Sequence, residues 1–180
     1  MIVFVDFEAS SLADDSYPIE VGWVFEDGAT EAHLIRPAPG WDDWDADAQA
    51  IHGLSRATLM AEGEPHEGVA HAMLAALGGH RAFASAPSWD GKWLSVLLRA
   101  AGLPRHALRL ADSDAAHLEA AREALRDVTP AEALEDAAAA ILAEARRLTA
   151  APARHRALAD AEQERRLWLE VRRLAGQARR

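Results

Sequence analysis

The sequence contains no cysteine. Disulfide frameworks and thiolate metal sites are therefore excluded, and any bound metal must be held by carboxylate, histidine or backbone oxygen, which favours hard cations. Lysine is almost missing as well: Lys92 is the only one among 19 basic residues, so arginine supplies nearly all the cationic chemistry. No apolar run is long enough to cross a membrane. The N-terminal run is also too short for the core of a signal peptide and has no basic segment before it. These features predict a soluble, cytoplasmic protein with no membrane partner. No repeat, low-complexity linker or domain boundary interrupts the chain, and 180 residues, half of them apolar, predict a single domain over residues 1–180 with a substantial core.

The formal net charge of −10 argues against coating long nucleic acid through a basic surface. The charge is uneven, however. Residues 151–180 hold eight arginines against four acids, a balance of +4, which leaves −14 on residues 1–150. An acidic body with a basic C-terminal segment can hold a short polyanion if divalent metal neutralises the acidic part.

Residues 2–7 (IVFVDF) read as a strand apolar on both faces, hence central in a sheet. Residues 19–25 and 30–36 flank a turn at Asp27-Gly28 and predict a hairpin. A short helix stopped by Gly53, a second capped by Ser55 and an amphipathic helix over 66–78 follow. Then come a strand at 81–85, a helix from Ser88 to about Ala101 and a last strand at 107–111. The pattern from Ser113 onward is helical, with breaks at Thr129-Pro130 and Ala151-Pro152. A strand meander followed by alternating helices and strands predicts an α/β domain with a mixed sheet and helices on both faces.

Acidic residues break the apolar pattern at defined places. Asp6 and Glu8 alternate with Phe7 at the end of the first strand, so both carboxylates stand on one face, roughly 7 Å apart. Two like charges on a buried strand are costly unless a cation is supplied. Asp90 begins the inward stripe shared with Trp93, Leu94, Leu97 and Leu98, and Asp160 lies on the inward stripe of the last helix with Glu164. His155 precedes that helix; five residues is about 140° of rotation, so it cannot share a regular helical face with Asp160. Each feature has a simpler explanation when taken alone. A D-x-E pair arises by chance, Asp90 suits the first turn of a helix, and His155 reads as a loop histidine. The acids could also pair with Arg154 and Arg156. Together, four acids and a histidine suit two Mg²⁺ or Mn²⁺ ions about 4 Å apart, which clamp the attacking and departing oxygens of a phosphoryl group. His155 would take the proton of the attacking water.

The segments FVDFEASSL, APSWDGKWL and HRALADA, in this order across almost the whole chain, resemble the three motifs of the DEDDh 3′-to-5′ exonucleases. That family includes polymerase proofreading subunits, RNase T and oligoribonuclease. AIHGLS resembles the family's H-G-[IL]-[ST] segment, and PIEVGWV its second strand. The resemblance implies a ribonuclease-H-like fold with a mixed sheet of about five strands and helices on both faces. It implies a metal-dependent exonuclease that shortens a single-stranded nucleic acid, RNA or DNA, from its 3′ end and releases nucleoside 5′-monophosphates. It also allows a homodimer, and a module on the same fold that has lost turnover and only binds nucleic acid or a protein.

Carried over residue by residue, the resemblance makes Asp6, Glu8, Asp90 and Asp160 the ligands of two divalent cations, with Asp6 bridging them. His155 becomes the general base. Leu12 and Phe7 would bracket the terminal base; Leu12 fits better, because Phe7 alternates with Asp6. His52 would be the histidine of the H-G segment, and Trp89 would stack on bases. Trp93 lies on the core stripe. The second motif departs from the family's H-N-A-x-F-D: here it is Ala84-Ser85-Ala86-Pro87-Ser88-Trp89-Asp90. Ser85 can still hydrogen-bond a sugar or phosphate but offers less than an asparagine amide. Trp41 and Trp44 stand in an acidic loop with Asp42, Asp43, Asp45 and Asp47, for which solvation is the simplest reading. Glu20 could reach the same site without binding metal, and Asp112 and Asp114 suit helix capping.

Overall fold

The first strand, β1 (Ile2–Ala9), is buried on both faces along most of its length, as its unbroken apolar run requires. The computed structural model describes residues 1–152 and 154–178. β1 sits inside a six-stranded sheet, third from one edge, in the order Glu64–Pro65 (β4), Thr30–Arg36 (β3), Pro18–Phe25 (β2), β1, Arg81–Ala84 (β5), Leu110–Asp112 (β6) when read from the other. β2 (Pro18–Phe25) and β3 (Thr30–Arg36) continue from β1 as an antiparallel meander. On the other side, β5 (Arg81–Ala84) pairs parallel with β1, and β6 (Leu110–Asp112) pairs parallel with β5. The hairpin turn forms where Asp27-Gly28 predicts it. Gly28 has φ 99°, the Phe25 N–H donates to the Ala29 carbonyl at 2.9 Å, and Asp27 accepts from the Ala29 N–H at 3.0 Å.

Alternation along β1 assigns the two layers. Val3, Val5 and Phe7 pack with Val21, Trp23 and Ile35 against α3 (His66–Leu77) and α4 (Pro87–Ala100), through Val69, Met73, Leu77, Leu94, Leu97 and Leu98. Phe4, on the opposite face, meets Val24, Phe83, Ala116, Ala161 and Trp168, and so packs against α5 (Ser113–Leu125) and α7 (Ala157–Ala178). α6 (Leu134–Thr149) closes this layer from outside through Ala138, Leu142 and Ala145. Two short helices, α1 (Ala46–His52) and α2 (Arg56–Glu62), are capped by Asp45 and Ser55. Asp112 caps α5, as its position suggests. Among the described residues, no helix is long and apolar enough to cross a membrane.

The differences from the expected layout are small and local. β4 (Glu64–Pro65) makes a sixth strand, but two residues paired with Ile35 and Arg36 are too short for any alternation to show. The last strand begins at Leu110 instead of Ala107, because Ala107 is held in a turn by its N–H to the Pro104 carbonyl at 2.9 Å.

Candidate metal and nuclease site

On β1, the face that carries Ile2 and Phe4 continues to Asp6 and Glu8, which therefore point toward the start of α7. Two features let that helix come so close. Asp6 is opposite Gly22 on β2, and a Cβ on Gly22 would overlap the backbone N and Cα of Leu158. Glu8 is opposite Glu20, which is 4% exposed and accepts from the Ala157 N–H at 3.0 Å. The second residue pair thus holds the first turn of α7 while the first leaves room for it.

Asp160 lies in that first turn, and its carboxylate accepts from the Arg154 N–H at 3.1 Å. The chain leading into the helix is thereby folded back, and His155 adopts φ 51°, in the left-handed region that side chains rarely occupy. The result is a convergence: one ligand atom from each of Glu8, His155 and Asp160 falls within 4.8 Å of the other two. Asp90 enters from the opposite layer. It is 2% exposed, sits in the first turn of α4 just past the carboxyl end of β5, and accepts from the Phe7 N–H at 3.2 Å.

Like charges and burial dominate the electrostatics. Asp6 is held well above the usual carboxylate range, first by burial and then by Asp90, Glu8, Asp160 and Glu164. Glu8 is pushed up to about 7 by burial and by Asp160 and Glu20, against which Arg156 works in the opposite direction. Asp90 is pushed up to about 7 by burial, partly offset by the N–H groups of Phe7, Ala86 and Asp90 itself. Arg156, one of the two arginines that could have neutralised these acids, binds Glu20, with its Nη2 at 2.6 Å. A divalent cation fits this donor set, because it supplies the missing positive charge to the carboxylate oxygens, with the His155 imidazole beside them.

The sign of the pH effect follows. An acid whose folded pKa is raised to about 7 holds its proton in the native state while the unfolded chain releases it near pH 4. Its contribution to stability is intact below pH 4 and is lost as the pH rises through 7. Asp90→Asn keeps an acceptor for the Phe7 N–H and removes the charge. In chelator, the variant is expected to melt with wild type at pH 4 and several degrees above it at pH 8, a gain on the order of 2–4 kcal/mol. Saturating Mg²⁺ or Mn²⁺ should raise wild type and leave the variant behind; thermal melts at the two pH values read both effects.

The other sequence-derived residues fall into two groups, exposed and buried. Leu12 is 68% exposed on a loop that is tied down at both sides. Ser10 and Ser11 donate to Asp43 at 2.6 and 2.7 Å, and Lys92 and Trp93 each donate to Ser16 at 3.0 Å. Trp89 is partly exposed, stacks on Trp93 with centroids 5.7 Å apart, and carries the Lys92 ammonium 5.2 Å from its ring centre. Ser85 is exposed just after β5. Phe7, by contrast, is buried in the α3–α4 layer, since the pleat turns it away from Asp6 and Glu8, and so it is not placed to contact a base there. His52 is buried too. Its Nδ1 accepts from the Leu54 N–H at 3.0 Å, which leaves the ring proton on Nε2, and that atom is sealed from solvent. Trp93 is core, as its stripe predicts.

Asp43 and Gly22 shape the site without having been assigned to it from sequence, and Glu20, expected only to reach it, has a defined contact there. Asp43 is not a solvated loop acid but the anchor of the Leu12 loop. Glu20 is the acceptor at the start of α7, and Gly22 is the gap into which the helix fits. A carboxylate and a glycine inside the buried run PIEVGWV are the visible signals, because each disfavours a strand interior unless something approaches closely.

The sheet order and the helical layers are those of a ribonuclease-H-like α/β fold, as the motif resemblance implies. Among the solved structures that share this architecture are those of exonuclease I. The zinc-bound form of the Escherichia coli ExoI–ssDNA complex matches over 91% of this chain and 38% of that one, with a TM-score of 0.62 at 16% identity. E. coli exonuclease I in complex with a dA16 oligonucleotide matches with a TM-score of 0.60 at 17% identity, over 91% and 39% of the two chains. The chain thus spans about two fifths of the length of these neighbours, and at such identity the likeness is one of fold. No protein-family model and no curated protein sequence matches the chain.

Proposed function

We propose that this protein is a divalent-metal-dependent 3′-to-5′ exonuclease of the DEDDh type, acting on single-stranded nucleic acid and releasing nucleoside 5′-monophosphates. The observation that carries the reading is the convergence of Glu8, His155 and Asp160 within 4.8 Å, beside the repelling carboxylates of Asp6 and Asp90. Asp6, Glu8, Asp90 and Asp160 would hold two Mg²⁺ or Mn²⁺ ions, which supply a Lewis acid for the phosphoryl oxygens and for the attacking and departing oxygens.

His155 takes the proton of the water that attacks the last phosphodiester. The bond from phosphorus to the 3′ oxygen of the preceding nucleotide breaks, and that oxygen is protonated from solvent to become the new 3′ end. An imidazole suits this work because its pKa lies near neutrality. The exposed residues Leu12 and Trp89 are on separate elements joined through Ser16, Lys92 and Trp93, and offer apolar surface to the last bases. Stacking on Trp89 would contribute about 1–3 kcal/mol per base.

Single-stranded DNA is the first substrate to try, since the structural neighbours are exonuclease I bound to single-stranded DNA. The test is product analysis on matched DNA and RNA oligonucleotides of several lengths in Mg²⁺ and Mn²⁺. Nucleoside 5′-monophosphates should accumulate from the start of the reaction. Dinucleotides or nucleoside 3′-monophosphates as first products would contradict the scheme.

A further inference from the structure

We infer that Glu20 is a positioning residue for this reaction: it sets the His155–Asp160 segment against Asp6 and Glu8, and so governs metal affinity and turnover without touching either. The inference rests on the proposed metal site, and its catalytic half rests also on the exonuclease reading.

Glu20 is almost wholly buried, and both of its oxygens are used. Oε1 accepts from Arg156 Nη2 at 2.6 Å and from Nε at 3.1 Å, while Oε2 accepts from Arg156 Nε at 3.1 Å and from the Ala157 N–H at 3.0 Å. The partners are 136 and 137 residues away in sequence, so no local preference could produce the arrangement. It grips both sides of the hinge that matters. Ala157 is the first residue of α7, and Arg156 directly follows His155, whose φ of 51° is held only if its neighbours are fixed. Asp160 closes the segment from within by accepting from the Arg154 N–H.

The sheet transmits the placement. Glu20 is the register partner of Glu8, and Gly22 that of Asp6, so the two β2 positions that seat α7 lie directly beside the two β1 positions that carry carboxylates. A shift of the helix start along β2 therefore changes the spacing of Asp160 and His155 from Glu8 directly. A simple surface ion pair would not do this, because the Arg156 side chain is half exposed whereas the Glu20 carboxylate and the Ala157 N–H are buried.

Glu20→Ala and Glu20→Gln separate placement from fold. The glutamine keeps an acceptor for Ala157 N–H, and the alanine keeps none. Metal titration followed by thermal melting reads the site without reference to activity. Glu20→Ala should bind Mn²⁺ about 10–100-fold more weakly and Glu20→Gln within a few-fold of wild type, in the range seen when groups that orient metal ligands are lost. On substrate, Glu20→Ala should lose kcat by a similar factor with KM little changed, and Glu20→Gln should recover most of it. If Glu20→Ala does not fold, Glu20→Asp gives the same reading, since a carboxylate one methylene shorter draws back from the Ala157 N–H and from Arg156. Wild-type Mn²⁺ affinity in a folded Glu20→Ala or Glu20→Asp protein would overturn the inference, as would equal losses in the alanine and glutamine variants. A wild-type protein that binds Mn²⁺ but cleaves nothing would instead overturn the exonuclease reading, leaving the metal titration to decide the role of Glu20.

Discussion

Asp6→Asn is expected to remove nuclease activity by a factor of about 10³ or more while making the metal-free protein more stable. The two effects have one cause. Asp6 is buried among Asp90, Glu8, Asp160 and Glu164, all of which disfavour its ionised form. Without metal, the folded protein bears the cost of that charge, and asparagine of the same shape relieves it. With metal, the same carboxylate would be a ligand in the proposed site, and its loss would forfeit several kcal/mol of charge stabilisation in the transition state. Melting in chelator should therefore place Asp6→Asn above wild type, melting in saturating Mn²⁺ should place it below, and rate measurements should show the loss of turnover. A variant that is less stable than wild type in chelator would mean that Asp6 has a structural cation partner after all.

His155→Ala is expected to lower kcat by about 10²–10⁴, the usual worth of a positioned general base, with Mn²⁺ affinity reduced by less than about tenfold because four carboxylates remain. His155→Gly provides the sharper control. Glycine adopts a φ of 51° freely, whereas histidine is held there against its preference. The glycine variant should be as inactive as the alanine variant yet more stable than it by roughly 1 kcal/mol. That contrast separates the imidazole's chemistry from the backbone's shape. An active glycine variant would dismiss His155 as the base and move that role to a water held by the acids.

The parts of this architecture that were legible in the sequence are those encoded by local period or by composition. The apolar run of β1, the Asp27-Gly28 turn and the stripes of α3 and α4 each repeat within a few residues, and each forms where its pattern lies. The acids were visible for the opposite reason, as charges at positions where burial was otherwise continuous. Asp6, Asp90 and Asp160 each interrupt an apolar face, and the proposed cation would account for all three. What stayed hidden depends on contacts between distant segments. Nothing near Glu20 announces that its partner is the first N–H of a helix 137 residues later. Asp43 looks like any acid of a polar loop until Ser10 and Ser11 are seen to donate to it. Phe7 and His52 show the converse, since motif position drew them toward the substrate while the pleat and the packing buried them.

A 5′-labelled single-stranded oligonucleotide followed through time on a sequencing gel tests the central claim most directly. With purified wild-type protein and Mg²⁺ or Mn²⁺, the account predicts a ladder shortening one nucleotide at a time from the 3′ end, absent in chelator and absent for Asp6→Asn. An intact oligonucleotide after prolonged incubation, for DNA and RNA alike and at every length tried, would contradict it.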